Sequence, residues 1–407
     1  MINNSSTGPS KRVLVILAQA LESNTSAIIR CKSIIEGLAE SNNSVVCYSL
    51  SPNEKSSYFD CFQMNKNIEI RRYGPQSAYQ SPKEELEKSV GFTNNIKRIL
   101  YRLYKKIDIF GVSIRYVKYK KAINEEIHDE SYDILLSFSD PMPCHMIGNY
   151  LKKKSGIYYV QQWGDPLTTD LIGKTALPRW IRKIIEVNLI KKADKICYVS
   201  PFTLNEQKRV FKKYSNKMVF LPTPCLHFEP PQKCDNVKNR RLKLGYFGSY
   251  GSIARNIYPL YSAVKECDFC ELLIVGNSDL RLEKADNIYI VDRAKQKEIM
   301  AYIDEVDVLV CLMNSKGNQI PGKLYHYAGS YHEILLIKDG EYGREIQEFF
   351  EQFRRYSFVD NRVEDIKEQL VRYKNKGIPE RIPLADFDSK KIASSLINPI
   401  PRGAENA

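Results

Sequence analysis

The run Pro321-Gly322-Lys323-Leu324-Tyr325-His326-Tyr327-Ala328-Gly329-Ser330 combines residue types that suit an anion. Proline fixes φ for a first helical turn, and glycine lets a ligand approach the backbone closely. Lys323 adds a full charge to the free N–H groups and the positive dipole end of a helix start. The dipole disfavours a lysine there unless a ligand compensates it, so a phosphate is the expected occupant. A second cation, Arg255, follows the turn Gly248-Ser249, which ends the apolar run Leu242 to Phe247. In that turn the N–H groups of Gly248 and Ser249 could approach phosphate oxygens, and Arg255 could clamp the same group from the other side.

These residues need elements to hold them. Val13 to Leu17 is a short apolar run, followed by the polar loop Gln19 to Ser26, a helical pattern through Ile28, Ile29, Ile34, Ile35 and Leu38, and a second run from Val45 to Leu50. That order is a βαβ unit. It continues with strand Ile134 to Phe138, helix Met146 to Leu151, strand Ile157 to Val160, helix Trp180 to Ile190 and strand Lys195 to Val199. Leu221-Pro222-Thr223-Pro224, Pro230-Pro231 and the basic run Lys233 to Arg241 then read as a linker. Leu242 to Phe247 restarts the pattern, followed by Leu272 to Val275, Ile288 to Val291, Val306 to Leu312 and Ile334 to Ile337. The expected fold class is α/β, with two tandem Rossmann-like doubly wound domains facing a cleft. The expected domains are 1–225, for an acceptor, and 226–385, for a nucleotide sugar; residues 386–407 form a C-terminal helix and tail that could cross back to the first domain. In such sheets ligands bind beyond the carboxyl ends of the strands.

The 407 residues are long enough for two cores, and no stretch is apolar enough to span a membrane. No basic-then-apolar leader opens the chain, so a cytoplasmic location is expected. The ten cysteines are scattered, several inside strand-like runs, and Cys267-Asp268-Phe269-Cys270 has no second knuckle; reduced, buried thiols are expected. The net charge of +13 is uneven, with nine Lys or Arg and one acid between Lys97 and Lys121. Ile96, Ile99, Leu100, Leu103 and Ile107 recur at helical spacing beneath that charge, so the segment suits either an anionic membrane surface or a helix with a core side and a solvated basic side. No nucleic-acid recognition motif accompanies it. No HExxH sequence, carboxylate cluster or metal-ligand spacing occurs, so no metal is expected.

Three segments of the second half resemble the nucleotide-sugar-binding domain of GT-B glycosyltransferases, most closely the retaining, metal-independent glycosyltransferase family four. They are Leu244 to Ser249 with Arg255-Asn256, Leu272 to Gly276, and Pro321 to Tyr327, whose family form is close to "pgKLYEYLAxGkPil". In the first half, Tyr132 to Pro141 with His145, Tyr159 to Pro166, and Glu186 with Ala193-Asp194 and Ser200 resemble the polysaccharide-assembly members. The resemblance implies that Lys323 and Arg255 stabilise a departing diphosphate. His326 and Asn318 stand where the family carries two glutamates, one of which binds the ribose; both can hydrogen-bond but neither supplies a carboxylate's charge. Asp140 or His145 would orient the acceptor hydroxyl or stabilise charge at the anomeric carbon, although Asp140 before Pro141 also suits a cap or turn. Trp163 and Asp165 would form an acceptor platform, or else a buried Trp beside an Asp-Pro turn. The implied protein transfers a sugar from a nucleoside diphosphate donor, UDP favoured, to a lipid-linked or oligosaccharide acceptor in surface-polysaccharide synthesis. It would need no cofactor beyond the nucleotide sugar and would sit peripherally on the inner face of the plasma membrane through residues 97–121. The rival readings are a degenerate sugar- or partner-binding subunit and a nucleotide-sugar 2-epimerase, for which five histidines are a thin supply of acid/base groups.

Overall fold

The computed structural model describes residues 10–56, 58–61, 63–76, 114–127, 130–139, 143–169, 177–225, 228, 240–251 and 255–400. Asp140, Cys234, Pro230-Pro231 and residues 97–113 of the basic stretch lie outside these. The chain divides into two compact units, Met1–Pro222 with Ser389–Ala407, and Thr223–Asp388.

The first unit is built on a seven-stranded sheet in the order β3-β2-β1-β4-β5-β6-β7. Its strands are β1 (Arg12–Ile16), β2 (Ser44–Ser51), β3 (Ile68–Gln76), β4 (Ile134–Phe138), β5 (Tyr158–Trp163), β6 (Lys195–Tyr198) and β7 (Met218–Phe220), all parallel to their neighbours. A parallel sheet needs helices on both faces, which is why β1 and β4 read as unbroken apolar runs rather than alternating ones. The helices are α1 (Ser26–Glu40), α2 (Ile114–Ile127), α3 (Pro143–Ser155), α4 (Arg179–Ile190) and α5 (Pro201–Val210). Helix α1 starts where the Thr25 side chain accepts from Ile28 N–H at 3.3 Å, and it buries Ile28, Cys31, Ile34, Ile35 and Leu38.

The second unit holds a six-stranded parallel sheet in the order β10-β9-β8-β11-β12-β13. These are β8 (Leu242–Phe247), β9 (Cys270–Val275), β10 (Ile288–Val291), β11 (Val308–Leu312), β12 (Glu333–Lys338) and β13 (Tyr356–Asp360). Around it lie α6 (Tyr258–Lys265), α7 (Gln296–Asp304), α8 (Gly322–His326), α9 (Gly343–Glu351) and α10 (Val363–Lys376). The last helix, α11 (Ser389–Ile397), belongs to the first unit and packs on α1. A Cβ on Gly37 would lie 2.3 Å from the Ser389 carbonyl oxygen, so only glycine admits that crossing. Lys195 Nζ secures the helix by donating to the carbonyls of Ser395 at 2.6 Å and Asn398 at 2.8 Å.

The sequence pattern misses the edge strands β3, β7 and β13 and stops β5 early. Strand β5 runs on through Gln161, Gln162 and Trp163, all buried, and two of these are polar residues that do not read as a buried strand. The described cysteines are all free, and all but Cys61 are buried.

Candidate functional site

In each sheet the strand order reverses at a pair of central strands, which opens a crevice at their carboxyl ends. In the second unit that pair is β8 and β11, and the residues expected to bind the phosphate gather there. Gly248 follows β8 directly, and a Cβ on it would lie 2.8 Å from Lys323 Cε and 3.2 Å from Nζ. The lysine ammonium therefore lies against the glycine Cα, where a side chain at 248 would displace it. Gly276, at the end of β9, is constrained in turn, because a Cβ there would lie 2.1 Å from Gly248 O. Arg255 reaches the same turn: its Nη1 donates to Ser249 O at 3.3 Å, and its Nε donates to Asn314 Oδ1, from the loop after β11, at 3.0 Å. Tyr246 donates its hydroxyl to Ser249 O at 2.8 Å, which fixes the turn from below.

The electrostatics of the cluster are one-sided. Arg255 bonds to neutral oxygens, and neither it nor Lys323 pairs with a carboxylate among the described residues. Lys323 is half-buried as a residue, with its ammonium end turned inward onto Gly248. Burial first, and then the neighbouring Arg255, pull its pKa down to about 8; Arg293 adds to the effect more weakly. The buried thiol of Cys311 stays protonated, pushed up to about 12 by burial, so it offers the lysine no counter-charge near neutrality. Two cations held together without an anion have the electrostatic character of an anion site.

The structure corrects two details of this half. Gly248 N–H donates to Val275 O at 2.8 Å, so it is committed to the sheet and cannot serve a phosphate. Ser249 N–H makes no such bond among the described residues. The helix headed by Lys323 is a five-residue turn that runs into the 3-10 turn Tyr327–Gly329, with Pro321 as its N-cap rather than its first residue. The dipole of so short a helix is small, and the charges of Lys323 and Arg255 outweigh it. His326 folds back over the same turn, its Cε1 3.7 Å from where a Gly322 Cβ would stand, and it is buried. Asn318 is half-buried in the loop leading to Pro321.

In the first unit the expected residues form a neutral core network along β4, β5 and α3. Trp163 has no exposed surface; its ring lies 4.4 Å from His145 and 6.4 Å from Tyr198. No face is left for a sugar to stack on, so Trp163 is a packing residue and the expected platform is not formed. Its Nε1–H can only donate, and it donates to Gln161 Oε1 at 3.0 Å. That fixes the Gln161 amide, whose Nε2 donates to Leu189 O at 2.9 Å and Tyr159 OH at 3.1 Å. Tyr159 OH and His145 Nδ1 each lie 2.7 Å from Ser137 Oγ. With Tyr159 donating to Ser137 and Ser137 to His145, the imidazole carries its proton on Nε2, which has no partner among the described residues. Burial holds His145 neutral by lowering its pKa to about 3. Its side chain has no exposed surface, so in this structure His145 packs within the core and does not reach a surface open to an acceptor. Asp165 is half-buried two residues beyond Trp163.

Sequence reasoning missed Asn314 and Tyr246, which orient Arg255 and the Gly248 turn. Their places, within β8 and after β11, give no signal, because their roles depend on which strands become neighbours. Among the described residues no group of three or more His, Cys, Asp or Glu is placed to hold a metal ion.

No protein-family model matches the sequence, and comparison with curated proteins finds no match. Solved structures do match across nearly the whole chain. Sucrose-phosphate synthase from Thermosynechococcus elongatus superposes with a TM-score of 0.53 at 12% identity, covering 95% of both chains. HepE from Anabaena, solved with UDP and glucose, gives 0.53 at 10% identity, again over 95% of both. UGT89C1 of Arabidopsis thaliana, solved with UDP-L-rhamnose, gives 0.50 at 11% identity over 96% of this chain and 94% of that one. The fold is GT-B. Within that fold, the cation cluster lies at the switch point of the second Rossmann-like unit, whereas the neutral network of the first lies along β4, β5 and α3.

Proposed function

We propose that the chain is a metal-independent glycosyltransferase that retains anomeric configuration and takes its sugar from a nucleoside diphosphate donor, UDP favoured. The observation that carries this reading is the pairing of Lys323 and Arg255 on neutral partners at the switch point. A diphosphate arriving there supplies the missing anion and restores the lysine's full charge. When the glycosidic bond to the donor breaks, negative charge builds on the departing phosphate, and two fixed cations stabilise that state more than the ground state. The departing phosphate can then take the acceptor's proton, so no protein nucleophile is needed. The acceptor is a lipid-linked or oligosaccharide saccharide of surface-polysaccharide type, with Asp165 and Asp140 as the groups of the first unit to test. The membership in family four and a peripheral membrane location belong to the same proposal.

The test is calorimetry with UDP, GDP and ADP, followed by transfer and donor-hydrolysis assays with the matching sugar nucleotides. Micromolar binding of one nucleoside diphosphate, lost in Lys323→Met, supports the reading; equal affinity in that variant overturns it. One set of observations favours a second reading, a binding subunit without turnover. His326 and Asn318 replace two expected carboxylates, and His145 and Trp163 are enclosed in the core. Tight nucleotide binding with no transfer or hydrolysis would select it.

A further inference from the structure

Helix α4 buries Glu186, Leu189 and Ile190 and leaves Trp180 65% and Ile184 55% exposed, one turn apart on its outer face. The charges around them share one sign. Arg179, Lys183 and Lys191 are exposed, whereas the helix's sole acid, Glu186, is buried and accepts from Thr168 N–H at 2.6 Å. Helix α3 lies alongside, joined where Asn149 Nδ2 donates to Asn188 O at 3.0 Å. Both helices follow parallel strands and run the same way, so the rows on either side of that bond match. One turn before it stand Met146, 40% exposed, and Ile184; one turn after it stand Lys153 and Lys191. Lys154 is exposed beside Lys153, and Lys120 of α2 lies 4.7 Å over the ring of Tyr150. The face grades from Trp180, Ile184 and Met146 to a cluster of lysines, and α3 and α4 expose no acid.

We propose that this two-helix face docks the protein on an anionic lipid bilayer. An exposed indole with aliphatic neighbours suits the headgroup boundary, and cations behind it suit acidic lipid headgroups. A second copy of this chain is a poor occupant, because each molecule carries a net charge of +13. The inference deepens the proposed function and rests on it for its purpose, since a lipid-carried acceptor would be met at that surface. The binding itself requires neither nucleotide nor acceptor.

The experiment is sedimentation of the full chain with phosphatidylcholine vesicles, with and without phosphatidylglycerol, alongside UDP calorimetry on the same samples. Binding is expected only with the anionic lipid and is expected to weaken with salt. Trp180→Ala with Ile184→Ala should lower the partition coefficient roughly tenfold. Each of Lys153→Gln, Lys154→Gln and Lys183→Gln should lower it about fivefold. All these side chains are exposed, so unchanged melting temperatures will confirm that the variants fold. Equal binding to neutral vesicles, parental binding by the α3 and α4 variants, or self-association through Trp180 would each overturn the proposal. So would complete loss of binding in a variant neutralised only at Lys97, Arg98, Lys105 and Lys106. UDP affinity reports separately on the donor site, so a negative vesicle result leaves that reading standing, and the reverse also holds.

Discussion

The two Rossmann-like units carry side-chain clusters of opposite character. At the reversal between β8 and β11, Lys323 and Arg255 are partly open and unmatched by any acid among the described residues. Along β4, β5 and α3, His145, Ser137, Tyr159, Gln161 and Trp163 are enclosed, uncharged and bonded to one another. The sheet topology is shared, and side-chain chemistry decides whether a cluster stays open to an anion or is closed into the core. The unit with the unmatched cations should govern nucleotide affinity, and the unit with the closed network should govern stability.

The sharpest way to break that contrast is Trp163→Ala. Removing a fully buried indole should cost about 3–5 kcal/mol of unfolding free energy, measured by urea denaturation, while leaving UDP affinity in the surviving folded protein within about twofold. Lys323→Met should show the reverse pattern: an unchanged or slightly raised melting temperature, and a loss of about 2–3 kcal/mol in UDP binding by calorimetry. Gly248→Ala tests whether the glycine acts through the lysine. Its Cβ would push Cε and Nζ aside, so UDP affinity should fall by about tenfold, and the effect should vanish in a Lys323→Met background.

The smallest effect is the pH dependence. Lys323 has its pKa lowered to about 8, so the free protein loses that charge as pH rises through 8. UDP affinity should decline severalfold between roughly pH 7.5 and pH 9, and the decline should be absent in Lys323→Arg. The sign for stability is opposite. The folded-state pKa lies below the unfolded value of 10.5, so the unfolded chain holds the extra proton between the two, and this residue favours the folded state more as pH rises from 8 toward 10.5.

Much of the second unit was legible because its signals are local. A six-residue strand-like run, a glycine after it and a lysine in a Pro-Gly-Lys turn each carry their meaning in sequence, and Leu242–Phe247 and Ile288–Val291 have the bounds that the pattern gives. The first unit misled where burial decides the meaning. Trp163 next to Gly164-Asp165-Pro166 looks like a surface platform until β5 continues three residues further and carries the indole under the sheet edge. Gln161 makes that continuation possible, because it satisfies the indole, a tyrosine hydroxyl and a helix carbonyl together. Hydropathy does not reveal such an arrangement, since a glutamine that is fully bonded inside the protein has the same one-letter code as a solvated one. Gly248 N–H is a similar case, since only the pairing of β8 with β9 shows that Val275 takes it.

The docking of Ser389–Ile397 on α1 makes the first unit discontinuous in the chain, with the whole of the second unit interposed between Pro222 and Ser389. During synthesis the second unit can complete its sheet as soon as it leaves the ribosome. The earlier-made unit must wait, with the α1 surface at Gly37 uncovered, until the residues that follow the second unit arrive. Chain order and folding order are thereby inverted, and a ribosome stalled before Ser389 would leave the first unit as the aggregation-prone one.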